Sequence, residues 1–413
     1  MIVFSLGISL AVILFLVNKK VNMGYSMMAA AILLALLNGK DMSYILKTFF
    51  MTVKSATTIT LVATVGLITI LAYLMDKYLI LDRMVVALEA MLRSAKLTIL
   101  LAPSIMGTLS VYGGALMSCP VVERLGDRLS MSKDEKATIN LVFRHTLYLI
   151  FPLSAAMILA MELGEIAIWD LIKIQFPISL FMYILGYILF IRKYKDPEIK
   201  KINKREYLQV VIQFLLYALP ILISLLGALA FSMPFYISIL LGIGVSVAIN
   251  FHDKKHDTKY DIGENPLITM YKGLKLPLIM TIFGILFYRN IVTGMEEIYV
   301  FFGDFLDKGM PLELLIFIVC GVICLALASP QPGIAILFPI VLPLAPNYDT
   351  RLLYAMFIFT TSFLFYYISP LHLCQVLTLE YFQVGLKKLY RNYLYLVPLT
   401  FLCMVAIYMV NIF

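Results

Sequence analysis

The sequence predicts an all-α polytopic membrane protein that consists of two inverted repeats of about five spans each. The first reason is composition: 62% of the 413 residues are hydrophobic and 14% are charged, whereas a soluble globular chain is about 45–50% apolar. The second is the distribution of charge, because the charged residues cluster between long apolar runs. The third is a pair of interrupted apolar segments, residues 96–124 and 311–345, at corresponding places in the two halves.

The first interrupted segment, residues 96–124, reads KLTILLAPSIMGTLSVYGGALMSCPVVER and contains the adjacent glycines Gly113 and Gly114. Without the interruption it would be long enough for one span of about 20 residues. Two central glycines destabilise a spanning helix by roughly 1 kcal/mol each relative to alanine. The alternatives are a bent helix and a re-entrant hairpin. Irregular backbone at membrane depth is tolerated only where it is buried in protein or lines a cavity.

The second segment, residues 311–345, has the same plan, with SPQPG interrupting an apolar run. Matches between the halves occur at a nearly constant shift of 218 or 219 residues: Ser110 with Ser329, Gly114 with Gly333, Pro120 with Pro339, Pro152 with Pro370, and Glu162 with Glu380. Paired interruptions of this kind are typical of transporters whose binding site lies where two repeats meet.

The chain is therefore divided into a first repeat, residues 1–191, a basic cytoplasmic linker, residues 192–207, and a second repeat, residues 208–413. Each repeat is expected to contain one re-entrant helical hairpin and one Pro-broken helix. These are residues 96–124 and 137–161 in the first repeat, and residues 311–345 and 351–378 in the second.

The distribution of Lys and Arg predicts the orientation of these spans. The net charge is +8, and the basic stretches include residues 19–20, 192–206, 254–259 and 387–391. Cytoplasmic loops carry the excess of Lys and Arg, so both termini are predicted outside the cell membrane. Two amphipathic stretches, 79–93 and 295–308, are expected to lie along the membrane interface.

Composition also argues against several functions. The five cysteines lie in apolar segments, and the pair Cys320 and Cys324 has no histidine nearby in sequence. Neither a disulfide nor a metal site is expected. No zinc-protease HExxH or nucleotide-binding glycine-rich loop is present in the sequence, so an enzyme is disfavoured and no organic cofactor or nucleic-acid partner is expected.

The two hairpin tips are the predicted substrate-binding elements. Helix ends that meet inside the membrane present unpaired N–H groups with partial positive charge, which suits an anionic ligand. Hydroxyls and carbonyls of unwound backbone can hold Na⁺. The candidates at and beside the tips are Ser110, Tyr112, Gly113, Gly114, Ser118, Ser329, Gln331 and Gly333.

Arg144 and His145 lie inside the predicted broken helix and are further candidate substrate ligands. An arginine at that depth costs several kcal/mol unless it is paired, so by default it indicates a functional site. The alternative is an arginine about two turns into the helix that snorkels to the cytoplasmic face. At the 218-residue shift Arg144 corresponds to Ser362, so only one repeat carries the cation. One carboxylate or phosphonate per site would need that asymmetry.

His372 follows Pro370 and is a candidate substrate ligand or proton relay,. The alternative is a buried neutral histidine bonded to a carbonyl. The coupling ion, Na⁺ or H⁺, is assigned to Ser154, Thr361, Glu162 and Glu380, of which the two glutamates lie at span ends.

The double interruption, SVYGGALMSCP with SPQPG, and the Pro-broken helix after each hairpin resemble the ion transporter superfamily of secondary carriers. That group includes gluconate permeases and citrate carriers. The sequence GGAL at Gly113–Leu116, followed by FRH at Phe143–His145, is similar to a small prokaryotic branch catalogued as an integral membrane family of unknown function. The Ser-Asn-Thr tips of the dicarboxylate branch are absent. The resemblance implies a scaffold domain, a moving transport domain and often a homodimer.

These observations favour a secondary transporter for a small organic anion, such as a carboxylate or sugar acid. It would be coupled to Na⁺ or H⁺ and use an elevator-type alternating-access motion. One alternative is a cation/proton antiporter, which usually needs a carboxylate in mid-span. A second is an anion channel, which would conduct without saturating.

Overall fold

The computed structural model describes residues 2–108, 114–196, 204–231, 233–256, 265–295 and 311–412, and within these ranges the chain consists of helices and their connections. The fold class predicted from composition, an all-α polytopic protein, is therefore confirmed. The helices of the first half are α1 (Ile2–Asn18), α2 (Met23–Leu37), α3 (Met42–Lys54), α4 (Ala56–Lys77), α5 (Ile80–Leu92), α6 (Ala95–Thr108), α7 (Gly114–Arg128), α8 (Lys133–Thr146), α9 (Ala155–Gly164) and α10 (Ile168–Gly186).

The second half contains α11 (Lys204–Leu229), α12 (Phe235–His256), α13 (Pro266–Gly273), α14 (Leu276–Thr293), α15 (Leu312–Leu327), α16 (Gln331–Val341), α17 (Tyr348–Ile368), α18 (Leu373–Phe382) and α19 (Leu386–Ile412). α11 begins inside the stretch predicted as a linker. The single span predicted for residues 272–291 is instead divided between α13 and α14. The amphipathic stretch predicted for residues 295–308 lies, apart from its first residue, outside the described residues.

Seven helical segments among the described residues are long and apolar enough to cross a membrane: Ala56–Lys77, Ile168–Ile191, Lys204–Leu229, Phe235–His252, Leu276–Thr293, Tyr348–Phe382 and Leu386–Ile412. The two helices of each predicted hairpin are shorter. α6 and α7 contain 14 and 15 residues, and α15 and α16 contain 16 and 11. At 1.5 Å per residue, α6 is about 21 Å long, which is less than the roughly 30 Å hydrocarbon core.

The helix boundaries repeat between the halves. α18 begins and ends 218 residues after α9, and α19 begins 218 residues after α10. The residue that follows each short helix adopts the left-handed conformation, Glu165 with φ 51° and Gln383 with φ 55°. Non-glycine residues rarely take this conformation. Its recurrence at matching positions is therefore a repeat of structure as well as of apolar pattern.

Contacts between the halves occur in swapped pairs. α9 packs against α16, and α18 packs against α7; similarly α2 packs against α14, and α4 against α12. If helices are exchanged with their counterparts in the other half, each contact becomes its partner contact. Such pairs are what an approximate twofold relation between the halves produces.

α2 and α14 cross at Gly24 and Gly284 with their backbones in contact. A Cβ added to Gly24 would lie 2.0 Å from the carbonyl oxygen of Met280, and one added to Gly284 would lie 2.3 Å from that of Gly24. Small residues allow this close approach between helices in a membrane. Any side chain larger than hydrogen would force the two helices apart.

α8 is enclosed by protein, with every residue from Lys136 to Thr146 buried. Its first turn is fixed by Glu135, which accepts hydrogen bonds from the backbone N–H and hydroxyl of Ser132 and from Lys193. Burial alone would raise the pKa of Glu135, but these hydrogen bonds lower it to about 2. The first turn therefore anchors the helix that carries Arg144.

Candidate functional site

The two helix breaks and both hairpins meet at one cavity of about 250 Å³. The first half contributes Gly107 and Thr108 from the end of α6, with Tyr148 and Ser154 from the break between α8 and α9. The second half contributes Ala328, which follows α15, together with residues beside the break between α17 and α18. Both halves therefore form the wall, as the paired interruptions predict.

Arg144 lies in the wall of this cavity and not at a membrane surface. It is 5% exposed, and its Nη1 donates a hydrogen bond of 3.4 Å to Ser118 Oγ. A Cβ on Gly107 would lie 2.0 Å from the carbonyl oxygen of Arg144, so α6 and α8 touch at this point. This placement differs from the snorkelling alternative, because a snorkelling side chain keeps its charged head in water.

His145 and His372, one from each half, face each other across the cavity. Their ring centroids are 4.8 Å apart with the planes at 80°. Aromatic rings surround them: Tyr366 lies 4.2 Å from His372, and Tyr367 lies 5.5 Å from His145. Edge-to-face contacts of this kind hold aromatic rings in fixed orientations. His372 therefore lies in the cavity, as predicted for a substrate ligand.

A second cation at the cavity is Lys275, which the sequence analysis missed. It precedes α14, and its Nζ lies 5.4 Å from the centroid of Tyr73. Its backbone N–H donates to Thr69 Oγ1 at 3.3 Å, and both Thr69 and Lys275 line the cavity. A lysine within the predicted span 272–291 is the signal that could have identified it. No carboxylate is present among the described residues that line the cavity.

The structure places a polar cluster beside the cavity. Asn140 Nδ2 donates to Thr378 Oγ1 at 3.0 Å and lies 3.4 Å from the carbonyl oxygen of Ala115. The cluster links α7, α8 and α18, and thus both halves, through buried hydrogen bonds. Neither Asn140 nor Thr378 was a sequence candidate, because only the tertiary fold brings them together.

Gly333 and Ser362 lie together, away from the residues that line the cavity. A Cβ on Gly333 would lie 2.4 Å from Ser362 Oγ and 2.7 Å from Cys324 Sγ. Ser362 Oγ is 3.2 Å from Cys320 Sγ. Gly333 therefore provides the space in which α16 contacts α15 and α17.

The remaining candidates are distributed around this centre. Ser329 hydrogen-bonds to Gln331 next to Ala328 of the cavity wall. Ser154 caps α9 by accepting from Met157 N–H at 3.1 Å. Ser110, Tyr112 and Gly113 lie outside the described residues, and α7 begins at Gly114.

The four residues assigned to the coupling ion do not lie together. Ser154 lines the cavity, whereas Thr361 does not, and Thr361 Oγ1 is buried without a hydrogen-bond partner among the described residues. Glu162 is half-buried and Glu380 is exposed, each near the far end of its short helix. Glu162 is eight residues from Ser154, or about 12 Å along a helix.

Together, the helices and the cavity define a polytopic helical membrane protein with a candidate site shared between two similar halves. Comparison with family models gives a match over residues 2–412. The chain belongs to the family described as protein of unknown function (DUF401). No curated protein matches the sequence.

Among solved structures, the crystal structure of the YdaH transporter from Alcanivorax borkumensis, described as having an unusual topology, is similar to this chain. The TM-score is 0.57 at 15% identity, and the match covers 89% of this chain and 86% of that chain. At this identity the similarity concerns the fold alone.

Proposed function

We propose that the protein is a secondary active transporter for a small organic anion, a carboxylate or sugar acid. One observation carries the proposal: the cavity shared by the two halves is lined by Arg144 and Lys275, and its described lining contains no acid. A buried arginine without an acidic partner is costly inside a membrane protein unless a ligand supplies the negative charge. The 250 Å³ cavity suits a ligand of small-molecule size.

The architecture supports a transport mechanism based on inverted repeats. The short paired helices α6 with α7 and α15 with α16 suit re-entrant hairpins, since about 21 Å is too short to cross the membrane. The swapped contacts suit a twofold relation between the halves. With an odd number of spans per half, the second repeat would be upside down relative to the first. The YdaH transporter has a similar fold.

In this proposal the hairpins and broken helices form a transport domain that moves by an elevator-type motion. The coupling ion is Na⁺ or H⁺, with Ser154 and His372 the predicted coupling candidates that reach the cavity. Membership of the ion transporter superfamily, a homodimer, and termini outside the cell membrane remain predictions that belong to the same scheme.

The alternative of a cation/proton antiporter is less well supported. It requires a carboxylate that can exchange a cation for a proton, and Glu162 and Glu380 do not line the cavity. The alternative of an anion channel differs in kinetics. A carrier saturates with substrate and supports exchange of unlabelled for labelled substrate, whereas a channel does neither.

Arg144→Gln tests the proposal directly. A thermal-shift screen of carboxylates, sugar acids and phosphonates, with and without Na⁺, identifies an anion that stabilises the purified protein. Uptake of that anion into proteoliposomes is then measured. We expect Arg144→Gln to abolish saturable uptake while the protein remains folded.

The matched control is Arg351→Gln. Arg351 lies in the first turn of α17, pairs with the exposed Glu165 at 3.8 Å and is remote from the cavity lining. We expect near-normal uptake in this variant. Normal uptake in Arg144→Gln, or stabilisation by cations in place of anions, would remove the basis of the proposal.

A further inference from the structure

Three side chains able to bind a metal ion meet in the wall of the cavity. The ligand atoms of His145, His372 and Cys374 all lie within 4.8 Å of one another. His145 is 4% exposed and His372 is 1% exposed. The first half of the chain supplies one of these residues and the second half supplies two. Sequence spacing therefore does not reveal the group.

Both histidines are hydrogen-bonded as metal-ligating histidines are. Nδ1 of His145 lies 2.8 Å from the carbonyl oxygen of Leu141, and Nδ1 of His372 lies 3.4 Å from that of Tyr367. A carbonyl oxygen only accepts, so Nδ1 carries the proton, and in a neutral ring Nε2 keeps its lone pair. In metal sites such a bond fixes the tautomer and the ring orientation.

Nε2 of His372 is buried and has no hydrogen-bond partner among the described residues. Most buried polar side-chain atoms have a partner, and one without a partner needs an explanation. This nitrogen lies at the cavity, next to a second imidazole and a thiol. A ligand that accepts its lone pair would satisfy it.

We propose that His145, His372 and Cys374 bind a divalent transition-metal ion of the Zn²⁺ class. Two imidazole nitrogens and one thiolate suit such an ion, whereas thiolate is a poor ligand for hard cations such as Na⁺. The site is thus chemically distinct from the coupling-ion site. It rests on its own geometry and does not depend on the proposed transport function.

The geometry requires a modest closure. Tetrahedral zinc, with bonds of about 2.0–2.1 Å to nitrogen and about 2.3 Å to sulfur, places its ligand atoms roughly 3.5 Å apart. The group must therefore contract by about 1 Å. Binding displaces the thiol proton of Cys374, which leaves as H⁺ while the sulfur–metal bond forms. The fourth position faces the cavity and takes water or an anionic oxygen.

Arg144 is the charge that opposes this site. It precedes His145 on α8 and lines the same cavity. The Cys374 thiolate cancels one of the two charges of the ion, and the guanidinium repels the remainder. Removal of the guanidinium should therefore tighten metal binding, although the same change is expected to abolish anion uptake. The two outcomes separate this proposal from the proposed function.

The test uses the full chain, purified in detergent and stripped with a chelator, with Co²⁺ as the spectroscopic probe and Zn²⁺ as competitor. We expect one Co²⁺ per chain, with a sulfur-to-cobalt charge-transfer band and the intense visible bands of tetrahedral cobalt. Zn²⁺ should displace it. Cys374→Ser should remove the charge-transfer band, and Cys403→Ser, which changes a half-buried cysteine outside the cavity lining, should retain it.

His372→Gln should weaken metal binding by more than the roughly 10–100-fold that loss of a supporting hydrogen bond costs in known metal sites. Arg144→Gln should strengthen it. Thermal unfolding of each variant without metal shows that the protein is folded. No cobalt band in the folded wild-type protein, or a band that persists unchanged in Cys374→Ser, would overturn the assignment. Either result would identify the two histidines as packing residues.

Discussion

The contact between Gly107 and Arg144 allows the role of helix packing at the cavity to be tested with a single methyl group. In Gly107→Ala the new Cβ would lie 2.0 Å from the Arg144 carbonyl oxygen, and real Cβ contacts essentially never fall below 3.0 Å. α6 and α8 must therefore separate by about 1 Å. Overpacking of this kind costs about 1–3 kcal/mol, and the glycine-to-alanine change in a helix returns up to about 1 kcal/mol.

The net loss of stability is therefore about 0–2 kcal/mol, which is too small to unfold most proteins. The displacement, however, moves the backbone of the residue that we place at the substrate. We expect saturable uptake to fall by at least about tenfold, because misplacement of a positioning group by 1 Å can cost more than that. The assay pairs proteoliposome uptake with thermal unfolding of the same preparations.

Gly244→Ala is the matched control for this variant. Gly244 is also helical, in α12, and a Cβ there would meet nothing within 4 Å. The substitution should leave uptake unchanged and leave stability unchanged or raised by up to about 1 kcal/mol. Equal uptake and equal stability in the two variants would refute the reasoning, since the α6–α8 contact would then have no effect on the site.

Two further predictions concern stability. Gly333→Ala should destabilise the protein by about 1–3 kcal/mol, because the new Cβ would lie 2.4 Å from Ser362 Oγ; a double-mutant cycle with Ser362→Ala should show partial relief, and strict additivity would contradict the contact. The pKa of Glu135 is lowered to about 2 from 4.5, so its contribution to stability is present above about pH 4.5 and is lost as the pH falls towards 2. Lys193→Met removes a hydrogen bond that lowers this pKa, so thermal unfolding should depend less steeply on pH in that window, and an unchanged slope would contradict this.

The interruptions of the spans could be predicted because glycine and proline act locally. Pro152 and Pro370 mark the two breaks, and the structure places helix ends on either side of each. Arg144 could be identified for a similar reason, since a charge inside an apolar run is visible in the sequence. The boundaries were less accurate: α8 begins four residues before the predicted span.

What the sequence could not show is which residues from the two halves meet. Asn140 and Thr378 are 238 residues apart and join through a hydrogen bond that no local pattern encodes. Cys374 was regarded as a packing residue, because its relation to His145 depends on the meeting of α8 and α18. Lys275 was overlooked because a proline-containing apolar stretch follows it, and the division between α13 and α14 was not recognised.

The backbone contact between α2 and α14 limits what can move when the protein works. Sliding by one helical turn, about 5.4 Å, would bring side chains of neighbouring residues into the space that Gly24 and Gly284 leave open. These two helices therefore behave as a rigid strut. Lys275, at the start of this strut, belongs to a stationary wall, and any ligand held between it and Arg144 touches both the anchored and the travelling parts of the molecule.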